Sequence, residues 1–209
     1  GELSTHSLSM PHILYPPLID QNDVYVFNSN MLYRLRDFEV DSFVDLENIS
    51  QIAVLENYIL AQREQDIVFL DKVNLNIERT LNFPDSFGDA RPVICKTANS
   101  DEVFITSNKG NIYRISLSEQ LAQVQINTIF VNHHESMPSQ PALLAVPGKD
   151  LRLFFGIADH AYLISFNGAM QSGFPRYLDQ VKIAPHKDAR ALNLNDEVIL
   201  SLPLESGGY

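Results

Sequence analysis

The stretch DEVFITSNKGNIYRISLS, Asp101 to Ser118, constrains the fold of this chain more than any other. Two β-rich runs flank Asn108-Lys109-Gly110-Asn111, and turn residues of that kind between such runs read as a hairpin. A lone two-stranded hairpin is marginal in water. The question is therefore whether it recurs, because self-similarity at a spacing of tens of residues decides the architecture before any local propensity does.

It recurs. DVYVFNSNMLYRL, Asp23 to Leu35, carries the same Ser-Asn at its turn, and its second run, Leu32-Tyr33-Arg34-Leu35, matches Ile112-Tyr113-Arg114-Ile115. LRLFFGIADHAYLISF, Leu151 to Phe166, is a third copy, and YILAQREQDIVFL, Tyr58 to Leu70, a weaker one. DEVILSL, Asp196 to Leu202, repeats the Asp-Glu-Val of Asp101 after 95 residues, two units on. With Tyr33, Val68, Tyr113 and Tyr162 taken as equivalent, the spacings are 35, 45 and 49 residues, which suits one repeated core joined by loops of unequal length.

Each hairpin follows another short apolar run (RPVICKT, QPALLAVP, ISQIAVL, ARALNL) and precedes a fourth, such as AQVQINTIFV or SGFPRYLD. Four short strands per unit, with Asn, Asp, Gly, Ser and Pro turns and little helical periodicity, are the pattern of a propeller blade. Proline fits the start of a strand, where its missing N–H breaks no ladder. Apolar residues on both strand faces fit a sheet covered by a neighbour on each side, and stacking is what stabilises such units. The fold expected is an all-β propeller, or propeller segment, of about four to five four-stranded blades. One domain is expected over residues 1–209, with four complete units and the inner half of a fifth. Either the N-terminal segment STHSLSMPHILYPP supplies the missing outer strands, or the chain is an excised part of a larger protein. The doubled Asp-Glu-Val and the paired Tyr-Arg strands weigh against a two-sheet sandwich.

VFITSNKGNIYRIS resembles the blade repeat of bacterial quinoprotein-like and YVTN-type β-propellers: apolar-x-apolar-x-Ser, then x-Gly-x-apolar-Tyr-x-apolar. FNGAMQSGFPRYLD looks like the Asn-Gly turn and Gly-Phe-Pro outer strand of repeat propellers in cell-surface and secreted bacterial proteins. The resemblance runs from about Pro17 onwards and implies a fold rather than an activity. It also implies an extracytoplasmic bacterial setting, periplasmic or at the cell surface. The chain has no tryptophan, which removes the Trp-Asp dipeptide, the docking tryptophans of quinoprotein dehydrogenases and the sialidase box. No Asp-x-Asp-x-Asp-Gly loop supports calcium binding.

Composition narrows the function classes. A formal charge of −11 argues against general binding to nucleic acid or an anionic membrane. No apolar run approaches the ~20 residues of a membrane helix. GELSTHSLSM lacks a basic segment followed by an apolar core, so it does not read as a signal peptide, and Gly1 reads as a cloning scar. The lone Cys95, among apolar neighbours, reads as a buried thiol.

In propellers, the outer-to-inner connections and the central hairpin turns share a face. That mapping collects Asp85, Asp89 and Arg91 from one connection, and His133, His134 and Glu135 from the next. Asp159 and His160 come from a turn, and Asp179, His186, Lys187 and Arg190 from the last connection. Arg91, His133, His134, Asp159 and His160 are the candidate binding residues. Neighbouring imidazoles in an extended loop point opposite ways, so Asn132 to Ser136 reads as an exposed polar loop rather than a metal site. Asp85 and Asp89 flank a Phe-Gly turn, where Asp is favoured for its local backbone bonds. No Gly-x-Ser-x-Gly elbow is present, and no catalytic residue, metal or cofactor is assigned. Tyr33 and Tyr113 are expected to pack the blades with the following arginines at the rim. The function expected is a non-catalytic binding or scaffolding module that presents loops to a protein, peptide or glycan. The alternative is a hydrolase or lyase with a polar site at the central opening. A third option is a structural piece that docks on further blades.

Overall fold

A computed structural model describes residues 15–37, 39–97, 100–118, 121, 123–145, 150–194 and 197–209. The proposed N-terminal outer strands lie almost wholly outside these residues, as does Asp196 of the second Asp-Glu-Val. The chain forms two compact units, residues 1–87 and 88–209.

In the first unit, β1 (Leu18–Asp20), β2 (Asp23–Phe27), β3 (Met31–Arg36) and β4 (Glu39–Asp45) form one antiparallel sheet in chain order. β5 (Gln51–Val54), β6 (Tyr58–Gln62), β7 (Asp66–Asp71) and β8 (Ile77–Asn82) form the next. In the second unit, β9 (Val93–Lys96), β10 (Asp101–Thr106), β11 (Ile112–Leu117) and β12 (Val124–Phe130) repeat the plan. So do β13 (Ala142–Leu144), β14 (Arg152–Ile157), β15 (His160–Ser165) and the short β16 (Arg176–Tyr177). β17 (Arg190–Leu194) and β18 (Glu197–Ser201) form a two-stranded sheet. The expected four blades and inner half of a fifth are all present. β10 and β18, which start at Asp101 and Glu197, are both second strands of their sheets, as the repeated Asp-Glu-Val indicates.

Burial follows strand position. In β10, Val103, Phe104 and Ile105 are consecutive and all buried, so both faces of the strand are covered. Ile59, Leu60 and Ala61 of β6 behave alike. The outer strands are largely exposed, as in β4 and β8. The apolar clusters lie between sheets. Tyr25, Phe27 and Leu32 of the first sheet pack with Ile59, Ala61 and Val68 of the second. Phe104 and Ile112 of the third pack with Leu153, Phe155 and Tyr162 of the fourth. Each sheet therefore needs its neighbour to keep its apolar residues from water. Cys95 lies in this interior, and burial, with Glu102 and Asp101 nearby, pushes its thiol pKa up. It is a packing residue.

Arg34 departs from the expected rim position. Arg34 is 1% exposed. Its Nε lies 3.1 Å from Oδ2 of Asp23 and its Nη1 3.0 Å from Oδ2 of Asp41, while Nη1 also donates to the Val73 carbonyl in the neighbouring sheet. Arg114, 25% exposed, repeats the bonding pattern without the full burial. Its Nε and Nη2 donate to the two oxygens of Glu102 at 2.8 and 2.9 Å, and its Nη1 donates to the Phe166 carbonyl of the next sheet at 3.3 Å. Strand register makes the acids equivalent: Asp23 and Glu102 sit diagonally across from the arginine, each on the second strand. A guanidinium can stay buried because one fork holds a carboxylate while another N–H remains free for a main-chain carbonyl.

Removing Arg34 leaves Asp23 to Arg36 alone and takes the side-chain donor from the Val73 carbonyl. Arg34→Ala is expected to lower unfolding free energy by about 1–3 kcal/mol, read from urea denaturation. Glu102 supplies a pH test. Burial alone would push its carboxyl up, but Arg114, Ser116 (2.7 Å) and Ser100 hold it net below the usual range. A depressed folded-state pKa stabilises above the unfolded pKa, and that contribution is lost as pH falls through the folded value. Glu102→Gln should flatten the loss of stability at acid pH, measured from urea midpoints across a pH series.

Candidate functional site

Each outer-to-inner connection is tied to the central turn of its own sheet. Leu46 and Ile49 donate backbone N–H groups to the carbonyls of Asn30 and Ser29 at 2.7 and 2.8 Å. Phe83 and Phe87 donate to Gln65 and Glu64 at 3.0 and 2.6 Å. In the third sheet, Asn132 N donates to Asn111 Oδ1 and its amide Nδ2 to the Lys109 carbonyl, both at 3.0 Å. In the fourth, Leu178 and Ile183 donate to the carbonyls of Asp159 and Ala158 at 2.8 and 2.7 Å. Loop and turn thus share one end of each sheet, as the sequence mapping required. Gly110 makes the third of these fits possible. Its φ is +80°, and a Cβ there would lie 2.8 Å from Pro138 Cδ and against the Asn132 amide.

Within the second unit this arrangement gathers three of the five candidate residues. His134, held by its backbone N–H to Asn132 Oδ1, places Nε2 2.7 Å from the Tyr162 hydroxyl. His160 Nδ1 lies 2.6 Å from Asp159 Oδ1. The two imidazole centroids are 6.0 Å apart, and the Tyr177 ring lies 5.5 Å from that of His160, its cross-strand partner. Tyr162 anchors the group to the core, stacked on Phe155 at 5.3 Å. Burial, then the charge of Asp159, pushes its phenol pKa up, so it stays protonated as a hydrogen-bond partner at neutral pH.

His133 and Arg91 are exposed. Among the described residues, neither side chain joins the group by a hydrogen bond or ring contact. The Arg91 carbonyl accepts a hydrogen bond from the Gln140 side chain. Both imidazoles are exposed, and it is His134, at a bend held by the Asn132 side chain, that reaches the Tyr162 hydroxyl. Asp85 is buried rather than displayed at a surface turn. Sequence reasoning missed Tyr162 and Tyr177 as members of the group. The sequence marks Tyr162 only as a blade residue, although its place three residues past Asp159 on an expected strand puts its hydroxyl within reach of the turn.

Chemically the group offers ring faces, an exposed carboxylate and imidazole donors and acceptors. Asp159 is 41% and Tyr177 58% exposed, enough to meet a ligand directly. Among the described residues, no group of three or more His, Cys, Asp or Glu is disposed to hold a metal ion.

Sheet topology and loop placement define a β-propeller fold, and comparison with solved structures agrees. The chain is similar to BBS1N, solved in complex with ARL6DN, at 14% identity and a TM-score of 0.60, over 88% of this chain and 59% of that one. It is similar to a chain of the complex of fission yeast SREBP–SCAP binding domains, at 13% identity and a TM-score of 0.62, over 96% and 60%. The N-terminal domain of Nup159 matches at 14% identity and a TM-score of 0.54, over 96% and 59%. The chain thus spans about 60% of the length of these solved chains. No protein-family model and no curated protein matches the sequence.

Tyr162→Phe deletes only the hydroxyl facing His134. The expected loss is about 0.5–1.5 kcal/mol in unfolding free energy. A shift of the His134 ring resonances, larger than that of His133, would mark the bond in an NMR spectrum.

Proposed function

We propose that the chain is a non-catalytic binding or scaffolding module whose loop-bearing face docks a protein or peptide. The observation that carries this reading is the partly exposed His134, Asp159, His160 and Tyr177 group, set where hydrogen bonds hold turns to their connections. A preorganised surface loses little conformational entropy on binding, and aromatic rings at such a surface make effective anchors. Two solved propellers of similar fold, BBS1N with ARL6DN and the SREBP–SCAP binding domains, were captured with protein partners, which supports the class. The acidic balance of −11 favours a neutral or basic partner. We further propose one propeller domain, or a segment of one, over residues 1–209 and, on the sequence resemblance alone, an extracytoplasmic bacterial setting.

The test is affinity capture from native envelope and soluble fractions. Wild type is compared with a His133→Ala, Asp159→Ala, Tyr177→Ala variant whose circular dichroism and Tm match it. A partner retained by wild type and reduced at least about ten-fold by the variant is the expected result. Equal capture by both would place binding elsewhere and overturn this face as the site.

A further inference from the structure

The charge of Asp159 is answered differently from that of acids elsewhere in the chain. Asp20, Asp23, Asp66 and Glu102 each pair with a lysine or arginine of the chain itself. Among the described residues, Asp159 pairs only with His160, through Oδ1, and its Oδ2 accepts no hydrogen bond. Strand register keeps the neighbouring arginine away. His160 lies opposite Tyr177 and Ala161 opposite Arg176, and successive residues of a strand take opposite faces. Arg176 therefore stands with Ala161 on the other face of the sheet.

The carboxylate is also held in place among rings. The carbonyls of Ala158 and Asp159 both accept main-chain N–H groups from the following connection, so the turn that carries it is fixed on the sheet. The His160 ring centroid is 6.0 Å from that of His134, with planes 38° apart. It is 5.5 Å from that of Tyr177, with planes 57° apart. At these tilts the rings do not stack shut on one another, and the exposed Tyr177 keeps ring face for a further flat group.

A free carboxylate oxygen calls for a positively charged N–H donor, and a ring face calls for a flat, weakly hydrated cation. A guanidinium is both. An ammonium meets the carboxylate but is strongly hydrated and has no plane to stack. A neutral amide has the plane without the charge.

We propose that this group is the receptor for an arginine side chain of the partner protein, whose N–H groups donate to Asp159 Oδ2 while its plane lies against the Tyr177 ring. The assignment rests on the binding role of the loop-bearing face and names its anchor. The charge of −11 draws such a basic segment towards the chain.

The experiment titrates blocked Gly-Arg-Gly into the intact chain at about 20 mM salt, where charge is weakly screened, and follows the His134 and His160 ring resonances by NMR. The expected result is a saturable shift with a Kd at or below about 10 mM. The citrulline peptide, which has the same shape without the charge, should bind at least about ten-fold more weakly, and the lysine peptide at least about three-fold. Protein folding does not enter these comparisons, because only the probe changes. Asp159→Asn keeps an oxygen acceptor for His160 and should weaken the arginine peptide at least about ten-fold at unchanged Tm. Equal binding of the arginine and citrulline peptides would overturn the proposal, as would the absence of a saturable shift or equal binding by the Asp159→Asn variant. Equal binding of the lysine peptide would make the site a general cation patch and overturn the arginine assignment. A partner captured by wild type and lost by the His133→Ala, Asp159→Ala, Tyr177→Ala variant, while the arginine and citrulline peptides bind alike, would keep the face and remove its arginine anchor.

Discussion

Neighbouring sheets of this protein are joined by an arginine that looks both ways. Arg34 and Arg114 each hold an acid on their own sheet and a main-chain carbonyl on the next, Asp23 with Val73 and Glu102 with Phe166. Apolar contact alone would let two flat sheets slide, because the hydrophobic effect is non-directional. A guanidinium fork is directional, and its carboxylate cannot be left unpaired in the interior without a large cost. Sheet spacing and offset within each unit are thereby specified at the same places where the apolar clusters supply the driving force. The second and fourth sheets carry Phe69 and Leu163 where the arginine would stand, so the device belongs to particular neighbours rather than to every repeat.

At the opposite end of the sheets a second recurring device holds the surface. Main-chain N–H groups from the connections of the first, second and fourth sheets satisfy carbonyls of the central turn, and in the third sheet the Asn132 side-chain amide does so. Long connections become ordered without secondary structure of their own. In the third and fourth sheets this order brings an imidazole from one connection against a tyrosine on the adjacent sheet, and an aspartate from a turn against the histidine that follows it. Rigid backbone with variable side chains on top is the arrangement that lets one repeat carry different ligands, and the binding role rests on it.

Much of the fold was legible before any coordinates. The recurring pairs of β-rich runs located four central hairpins, the Ser-Asn turns and Tyr-Arg runs marking two of them, and both Asp-Glu-Val copies mark second strands. The site was legible only in part. His134, Asp159 and His160 were found because loop mapping needs strand order alone, whereas Tyr177 was hidden in a run that reads as outer strand. The rim position expected for Arg34 failed because strand alternation shows which face a side chain takes. It does not show whether the neighbouring sheet brings a carbonyl to meet it.

By itself, then, the sequence determined what each segment could be: the strand lengths, the turns and the number of repeats, all of which depend on residues close together in the chain. Only the tertiary structure decided which charges are buried and which imidazole meets Tyr162. Those features depend on pairs up to 52 residues apart, as Arg114 and Phe166 are. Their energies are set by desolvation and by the angle of a hydrogen bond, and neither exists until two sheets are packed together.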